Sequence, residues 1–344
     1  MTVRIGLIAR CERARGLALQ ALNFYEHMPV DRVLLVRMPE PDCDERPEWY
    51  PGALQVPSLP GHRLDRATAM QWMEGLDVVF SIETPYDWDL PRWARKIGVK
   101  TVIQGNPEFV RHGQPDYEHF AHPDAWWWPT SWRVDRLPPG KIMPVPMPDL
   151  PVVARDPHAP GPLRAFHVTG KRAFADRNGT NAVIDALRSF DRDVEFTMWG
   201  LDHCLPPIEG AKRMTLNVRN EGVEDRWEMY RDQHVLVLPR RYAGLCLPAL
   251  EAAASGCAVM MTDTPPNGEL ASVLMGAAGS RKINVAAGPI MTADVNHIDL
   301  VRHVNDLAHD RDRLQAAMLQ SWTNVPRWSK WRDLYLAEFE RICS

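Results

Sequence analysis

The feature that most restricts the fold of this 344-residue chain is an alternation of short β-branched, apolar runs with segments of helical period, and the chain makes it twice. A pair of parallel strands needs a crossover long enough to hold a helix, so this alternation predicts parallel sheets covered by helices. In the first pass residues 3–9, 32–37, 77–82, 99–104, 125–129 and 141–146 read as strands, with helices over 14–27 and 90–97. Residues 144–162 then carry seven prolines without any period, the mark of a linker. The second pass predicts strands over 163–169, 194–199, 213–218, 234–239 and 258–262, and helices over 179–190, 224–231, 247–255, 298–320 and 328–342. The expected organisation is α/β: a doubly wound, Rossmann-like domain over 1–150, a second over 151–325, and a terminal helix over 326–344.

In open parallel sheets, ligands bind beyond the carboxyl ends of the strands. That rule directs attention to residues 10–16, 83–86, 105–108, 170–177 and 240–247. The segment 242–263 is the most specific. A buried strand runs into a tight loop around Gly244, and Pro248 stands where a first helical residue is wanted. A helix of small residues follows, stopped at Gly256, and a second apolar strand ends at Asp263. A helix start at a strand end is a natural anion site, because free N–H groups and the dipole point at the ligand. One turn into that helix, Glu251 supplies a carboxylate able to accept from two ribose hydroxyls.

The stretch Ala243-Gly244-Leu245-Cys246-Leu247-Pro248-Ala249-Leu250-Glu251 resembles the donor-binding signature of glycosyltransferase family four and its GT-B relatives. There the pattern runs Glu-Gly-Phe-Gly-Leu-Pro-x-x-Glu, with two acids eight apart. Gly244, Leu247, Pro248 and Glu251 match, as do Ala252, Gly256 and Asp263 beyond them; the first acid is replaced by Ala243. The resemblance implies that Glu251 contacts the nucleotide ribose. Upstream, Phe166 to Arg172 and Asp176 to Thr180 resemble the opening of the family's second domain. On that likeness Gly170 lies beside the donor, and Lys171 or Arg172, with Arg177, clamps the diphosphate, since Asn178 occupies the family's lysine position. Asn267-Gly268-Glu269-Leu270 looks like the next loop near the donor, and Gly16 like the loop of the first domain that approaches the phosphates. Where family members often carry a histidine after the fourth strand, this chain has Gln104 to Asn106.

The resemblance implies a GT-B fold: two Rossmann-like domains with a cleft between them and a C-terminal helix crossing back to the first. It implies transfer of a hexose, with retention of configuration, from a nucleoside diphosphate sugar such as UDP-glucose or GDP-mannose to a hydroxyl acceptor, without a metal or further cofactor. The chain also looks like compact glycosyltransferases of actinobacterial phages, for which the acceptor candidates are a hydroxymethylated DNA base, a virion protein or a glycan. The competing readings are a nucleotide-sugar-binding protein impaired by the loss of the acid at Ala243, and another GT-B enzyme such as a nucleotide-sugar epimerase.

On the acceptor side, Glu83 and Glu108 each follow a strand and face the same predicted edge, where a carboxylate can orient a hydroxyl or take its proton. With Asn106 they are the candidate catalytic groups, and Tyr86 and Trp132 the candidate acceptor contacts. Trp126-Trp127-Trp128 lies in a strand-like run and reads mainly as core. Asp42-Cys43-Asp44 spells a metal-binding D-x-D but sits in a Pro-rich loop away from the expected place. The net charge of -4 gives no general support to polyanion binding. Six cysteines without a C-x-x-C pair read as reduced thiols of a cytoplasmic protein, host cytoplasm if phage-encoded. Without a secretion signal the sequon at Asn178-Gly179-Thr180 is silent. No run reaches the ~20 apolar residues that span a bilayer.

Overall fold

A computed structural model describes residues 3–12, 16–38, 44–61, 63–110, 121–169, 176–200, 205, 214–220, 225–242, 244–285 and 288–344. The chain divides into two compact units. The first comprises Met1–Pro148, Val285–Gly288 and Pro326–Ser344; the second comprises Asp149–Asn284 and Pro289–Val325.

In the first unit the strands are β1 (Ile5–Ala9), β2 (Val30–Arg37), β3 (Leu54–Pro57), β4 (Val78–Glu83), β5 (Lys100–Gly105), β6 (Ala125–Trp128) and β7 (Lys141–Ile142). They pair in the order β3-β2-β1-β4-β5-β6-β7 with every neighbour parallel. Successive side chains of a strand point to opposite faces, and both faces are covered here. Leu7, Phe80 and Val102 pack with Ala21 and Phe24 of α1 (Gly16–His27), whereas Ile8, Val79 and Leu34 pack with Trp72 of α2 (Arg66–Met73) and Trp93 of α3 (Leu90–Lys96). This is why β1 is apolar and buried at every position instead of alternating.

The last helix, α8 (Trp328–Cys343), belongs to this first unit. Phe339 meets Phe80 and Trp127 edge-on or tilted, with ring centroids 5.8 and 4.8 Å apart. A buried polar chain fixes its register. The Tyr335 hydroxyl donates to Pro144 O at 2.9 Å and accepts from Gln104 Nε2 at 2.9 Å, while Gln104 Oε1 accepts from Gln20 Nε2 at 2.9 Å. Trp328 Nε1 donates to Asn23 Oδ1 at 3.1 Å, and Lys141 Nζ lies 2.5 Å from Glu338 Oε1.

The second unit repeats the plan with β8 (Leu163–Val168), β9 (Val194–Trp199), β10 (Thr215–Arg219), β11 (Val235–Leu238), β12 (Ala258–Thr262) and β13 (Val273–Met275), in the order β10-β9-β8-β11-β12-β13 and parallel throughout. Its helices are α4 (Thr180–Ala186), α5 (Leu247–Ala254), α6 (His297–His309) and α7 (Arg311–Asn324), and β14 (Ala277–Val285) with β15 (Gly288–Val295) forms a two-stranded ribbon. Both sheets reverse direction beside their first strand, between β1 and β4 and between β8 and β11. In a doubly wound sheet that switch point is where loops diverge and leave a crevice.

Several elements differ from the sequence expectation. The single helix expected over 298–320 is α6 and α7, parted at Asp310, which closes one and caps the other by accepting from Arg313 N at 2.9 Å. The helix expected over 224–231 is one 3-10 turn over Arg226–Met229 among the described residues. Strands β3 and β13, helix α2 and the β14–β15 ribbon were not expected. Among the described residues no helix is long and apolar enough to cross a membrane.

Candidate functional site

In the second unit the groups converge at the carboxyl ends of β8 and β11. Residues after β11 run Pro239-Arg240-Arg241-Tyr242, and both arginines are buried. Arg240 donates from Nε to Tyr242 O at 3.2 Å and from its terminal nitrogen to Leu245 O, so one guanidinium holds the turn that leads into α5. Arg241 donates to Ala293 O at 2.9 Å and pairs with Asp294 at 2.8 Å. Asn267, 1% exposed, donates from Nδ2 to both Arg240 O and Thr262 O, tying the loop after β12 to the loop after β11. The turn is therefore preset by side chains before any ligand arrives.

Helix α5 begins at Leu247 with Pro248 in its first turn, and Cys246 before it gives no side-chain cap. Glu251, on this helix, is 4% exposed. Its Oε2 accepts from the Tyr230 hydroxyl at 2.6 Å, and its Oε1 lies 3.4 Å from Arg226 Nε. Burial raises the Glu251 carboxyl above its ordinary value, while Arg226 and Tyr230 act the other way. Arg226 also covers the Trp227 ring at 4.8 Å from its centroid. Glu251 is thus a fixed, buried carboxylate and not a solvated helix residue.

Opposite this turn stands the start of α4. Gly179 has φ +71, and a Cβ there would come within 2.4 Å of Pro239 O. Only glycine accepts both the left-handed backbone and the close approach. Asp176 caps the helix by accepting from Thr180 N and Asn181 N, each at 2.9 Å. Arg177 is half-buried, and its carbonyl accepts from Arg241 N at 2.9 Å. Asn178 is buried and donates to Val168 O at 3.1 Å, so the residue in the family's lysine position secures the strand end. Beneath them His167 Nδ1 donates to Val237 O at 2.8 Å, which leaves Nε2 to accept from Thr180 Oγ1 at 2.9 Å. Burial lowers that ring to about 4, so it is a neutral strut. Gly244 is buried beside the α5 start. Gly170, Lys171, Arg172 and Ala243 lie outside the described residues, as do Asp42 and Cys43.

In the first unit a second cluster stands at the ends of β1, β4 and β5. Glu83 closes β4 with φ 70, and Tyr86 follows with φ 62, left-handed conformations that are uncommon for non-glycine residues. Asn106 Nδ2 donates to Glu83 Oε1 at 3.2 Å, so two of the three predicted catalytic groups meet. The third, Glu108, is buried at 3% exposure, and its charge bears on Arg133, whose guanidinium stands over the Trp132 ring at 5.7 Å. Trp132 is half-buried. Trp126, Trp127 and Trp128 are all buried, with Trp126 and Trp128 stacked at 5.1 Å. Gln104, in place of the family's histidine, is absorbed into the polar chain beneath α8. Gly16 is the exposed first residue of α1.

Sequence reasoning missed Arg226 and Tyr230, and gave no role to Arg240 or Asn267, although these two fall in loops it singled out. The only visible signal was Arg240-Arg241 directly after a fully apolar strand, where two long cations must find internal partners or leave the core.

These two sheets and their switch points define a pair of Rossmann-like units with GT-B architecture. Among solved structures the chain is similar to Anabaena HepE in complex with UDP and glucose, with a TM-score of 0.68 at 10% identity, covering 98% of this chain and 100% of that one. It is also similar to a glycosyltransferase from Rickettsia africae (TM-score 0.66, 8% identity, 99% and 98% covered) and to the apo form of the lipopolysaccharide outer core galactosyltransferase WaaB (TM-score 0.62, 13% identity, 98% and 100% covered). No family model matches the chain, and no curated protein matches it in sequence.

Proposed function

We propose that this protein is a glycosyltransferase that moves a hexose from a nucleoside diphosphate sugar to a hydroxyl acceptor with retention of configuration. The observation that carries the reading is the buried Glu251, clamped by Tyr230 and Arg226 one turn inside a helix that starts at a sheet switch point. A carboxylate fixed in this way is prepared to accept from ribose hydroxyls without reorganising. The uncapped start of α5 beside Gly244, Leu247 and Pro248 offers N–H groups to a diphosphate. Arg177, with Lys171 and Arg172, would neutralise the departing diphosphate, and Gly170 would let the main chain approach it. Structures that share this fold have been solved with UDP, glucose and UDP-glucose, which supports a nucleotide sugar as donor.

On the acceptor side, Glu83 would take or orient the acceptor proton while Asn106 holds its carboxylate in place. Glu108 would act from the adjoining loop, and Tyr86 and Trp132 would line the approach. The specific acceptor classes are a modified DNA base, a virion protein hydroxyl and a glycan.

The test is a release assay across UDP- and GDP-sugars, coupled to melting curves. Diphosphate release with one donor, abolished by Glu251→Gln, is the expected result. If none of these nucleotides shifts the melting temperature and none is turned over, the reading fails. Nucleotide binding without turnover would favour the impaired-enzyme reading, for which Ala243 in the first acid position is the motive; Ala243→Glu should then restore donor hydrolysis.

A further inference from the structure

Of the two arginines that follow β11, each fastens a different part of the second unit. Arg240 holds the turn into α5: its guanidinium donates to Tyr242 O and Leu245 O, and its carbonyl accepts from Asn267 Nδ2. Arg241 reaches other segments. Its N–H donates to Arg177 O at 2.9 Å, just ahead of α4, and its carbonyl accepts from Ala293 N at 3.0 Å, on β15. Its guanidinium binds the same strand, donating from Nε to Ala293 O at 2.9 Å and from Nη2 to Asp294 Oδ1 at 2.8 Å. Residues 177, 241 and 293–294, far apart in sequence, therefore meet in one hydrogen-bonded line within the second unit.

The ribbon end of this line is braced. Thr292 Oγ1 donates to Arg281 O at 3.1 Å, and Arg281 Nε lies 3.5 Å from Asp294 Oδ1, so β14 and β15 are tied together at the level where Arg241 joins them. Arg241 is buried, and a buried guanidinium needs directed acceptors and an opposite charge, which Ala293 O and Asp294 supply. The far end of the line is the main chain of Arg177, the described member of the cations assigned above to the diphosphate. A guanidinium serves a phosphate well only when its planar fork is held in place. Without Asp294 the Arg241 side chain loses its anchor on the ribbon, and Arg177 loses the fixed N–H that sets its carbonyl.

We propose that Asp294, acting through Arg241, is a positioning residue for the diphosphate of the donor, so that the β14–β15 ribbon sets the place of Arg177. This deepens the glycosyl-transfer reading and rests on it for the identity of the ligand. The ribose side has its own supports, Tyr230 and Arg226 on Glu251 and Arg240 with Asn267 on the α5 turn. The effect of Asp294 therefore falls on the phosphates and spares the nucleoside.

The experiment titrates the full chain with UDP and with uridine, and with GDP and guanosine where the guanine nucleotide is the one that binds, following affinity by NMR. Asp294→Ala should weaken the diphosphate about tenfold, the equivalent of one charged hydrogen bond, and leave the nucleoside as in the wild type. Asp294→Asn keeps an acceptor for Arg241 Nη2 and should recover most of the diphosphate affinity. Arg281→Ala removes the other cation on Asp294 and should bind as the wild type does. Arg241→Lys keeps the charge and both main-chain bonds but loses the fork across Ala293 and Asp294; it should show the same selective loss, and decides the matter if the alanine variant does not fold. A parallel loss of diphosphate and nucleoside means that the carboxylate merely supports the fold, and overturns the proposal. Unchanged diphosphate affinity in Asp294→Ala or Arg241→Lys overturns it too, as does an asparagine variant no better than alanine. If the wild type binds neither diphosphate, the glycosyl-transfer reading fails and this proposal falls with it; if the wild type binds and the variants lose nothing selectively, this proposal fails alone.

Discussion

At the scale of single residues, Glu251 shows how a donor carboxylate is kept in place. Its partners are 21 and 25 positions away, on a 3-10 turn that the sequence disguised as an ordinary helix. Removing the Tyr230 hydroxyl strands one carboxylate oxygen in the interior, so Tyr230→Phe should cost about 1–3 kcal/mol in urea unfolding of the second unit. Arg226→Met leaves a buried charge without its cation and should cost more, about 3–5 kcal/mol, because breaking a buried pair exposes the full desolvation penalty of the survivor. Equal or trivial losses in the two variants would contradict this account. Gly179 makes a sharper case. With φ +71 and a prospective Cβ 2.4 Å from Pro239 O, Gly179→Ala must pay both backbone strain and a collision with main chain that cannot swing away. We expect a loss of about 2 kcal/mol or more in stability, and displacement of the Pro239 turn should reduce nucleotide affinity as well. Ser in place of Ala should behave alike, since the obstacle is the Cβ.

At the scale of elements, the α6–α7 corner and the last helix carry the clearest consequences. Asp310 is the sole residue between the two helices, and its side chain caps the second at Arg313 N. Asp310→Ala should lower the melting temperature by an amount equivalent to about 1 kcal/mol, with Asn retaining most of the cap. Truncation after Val325 removes α8 and uncovers Phe80, Trp127 and Phe24 in the first unit; limited proteolysis should then digest that unit while the second resists. What the sequence revealed at this scale follows from physical length and burial. Strands buried on both faces, such as β1, β11 and β12, are unbroken apolar runs and were readable. β3 was not, because an edge strand of four residues with three exposed positions carries no period. The α6–α7 corner was hidden because it uses neither Gly nor Pro, only an Asp whose capping role depends on the chain having already turned. The candidate site was legible where the chemistry is local, as in Gly244 to Glu251, or where a residue ends a strand, as with Glu83 and Asn106, and illegible where partners come from another stretch of chain, as with Tyr230 and Arg226 on Glu251.

At the scale of the whole molecule, two buried histidines make stability depend on pH. His167 and His234 both lie in the second unit and both are lowered by burial to about 4. His234 Nδ1 accepts from Arg164 N at 2.8 Å, a bond available only to the neutral ring. The unfolded chain protonates these rings near 6.5, whereas the native chain resists until about 4. The stabilisation is therefore complete above pH ~6.5 and is lost as pH falls toward 4, by up to about 3 kcal/mol for each ring. Melting curves from pH 7.5 to 4.5 should show a steady fall, flattened in His234→Gln; a rise in stability toward pH 5 would exclude the mechanism. The placement of α8 has a last consequence, for biosynthesis. The ribosome releases the chain from its amino end, yet the hydrophobic core around Phe80 and Trp127 closes only when Tyr335 and Phe339 have emerged. The second unit, complete by Val325, can therefore reach its native form on the ribosome first. The earlier-made unit must wait with an open aromatic surface, the state in which a nascent chain recruits chaperones, until α8 has been made.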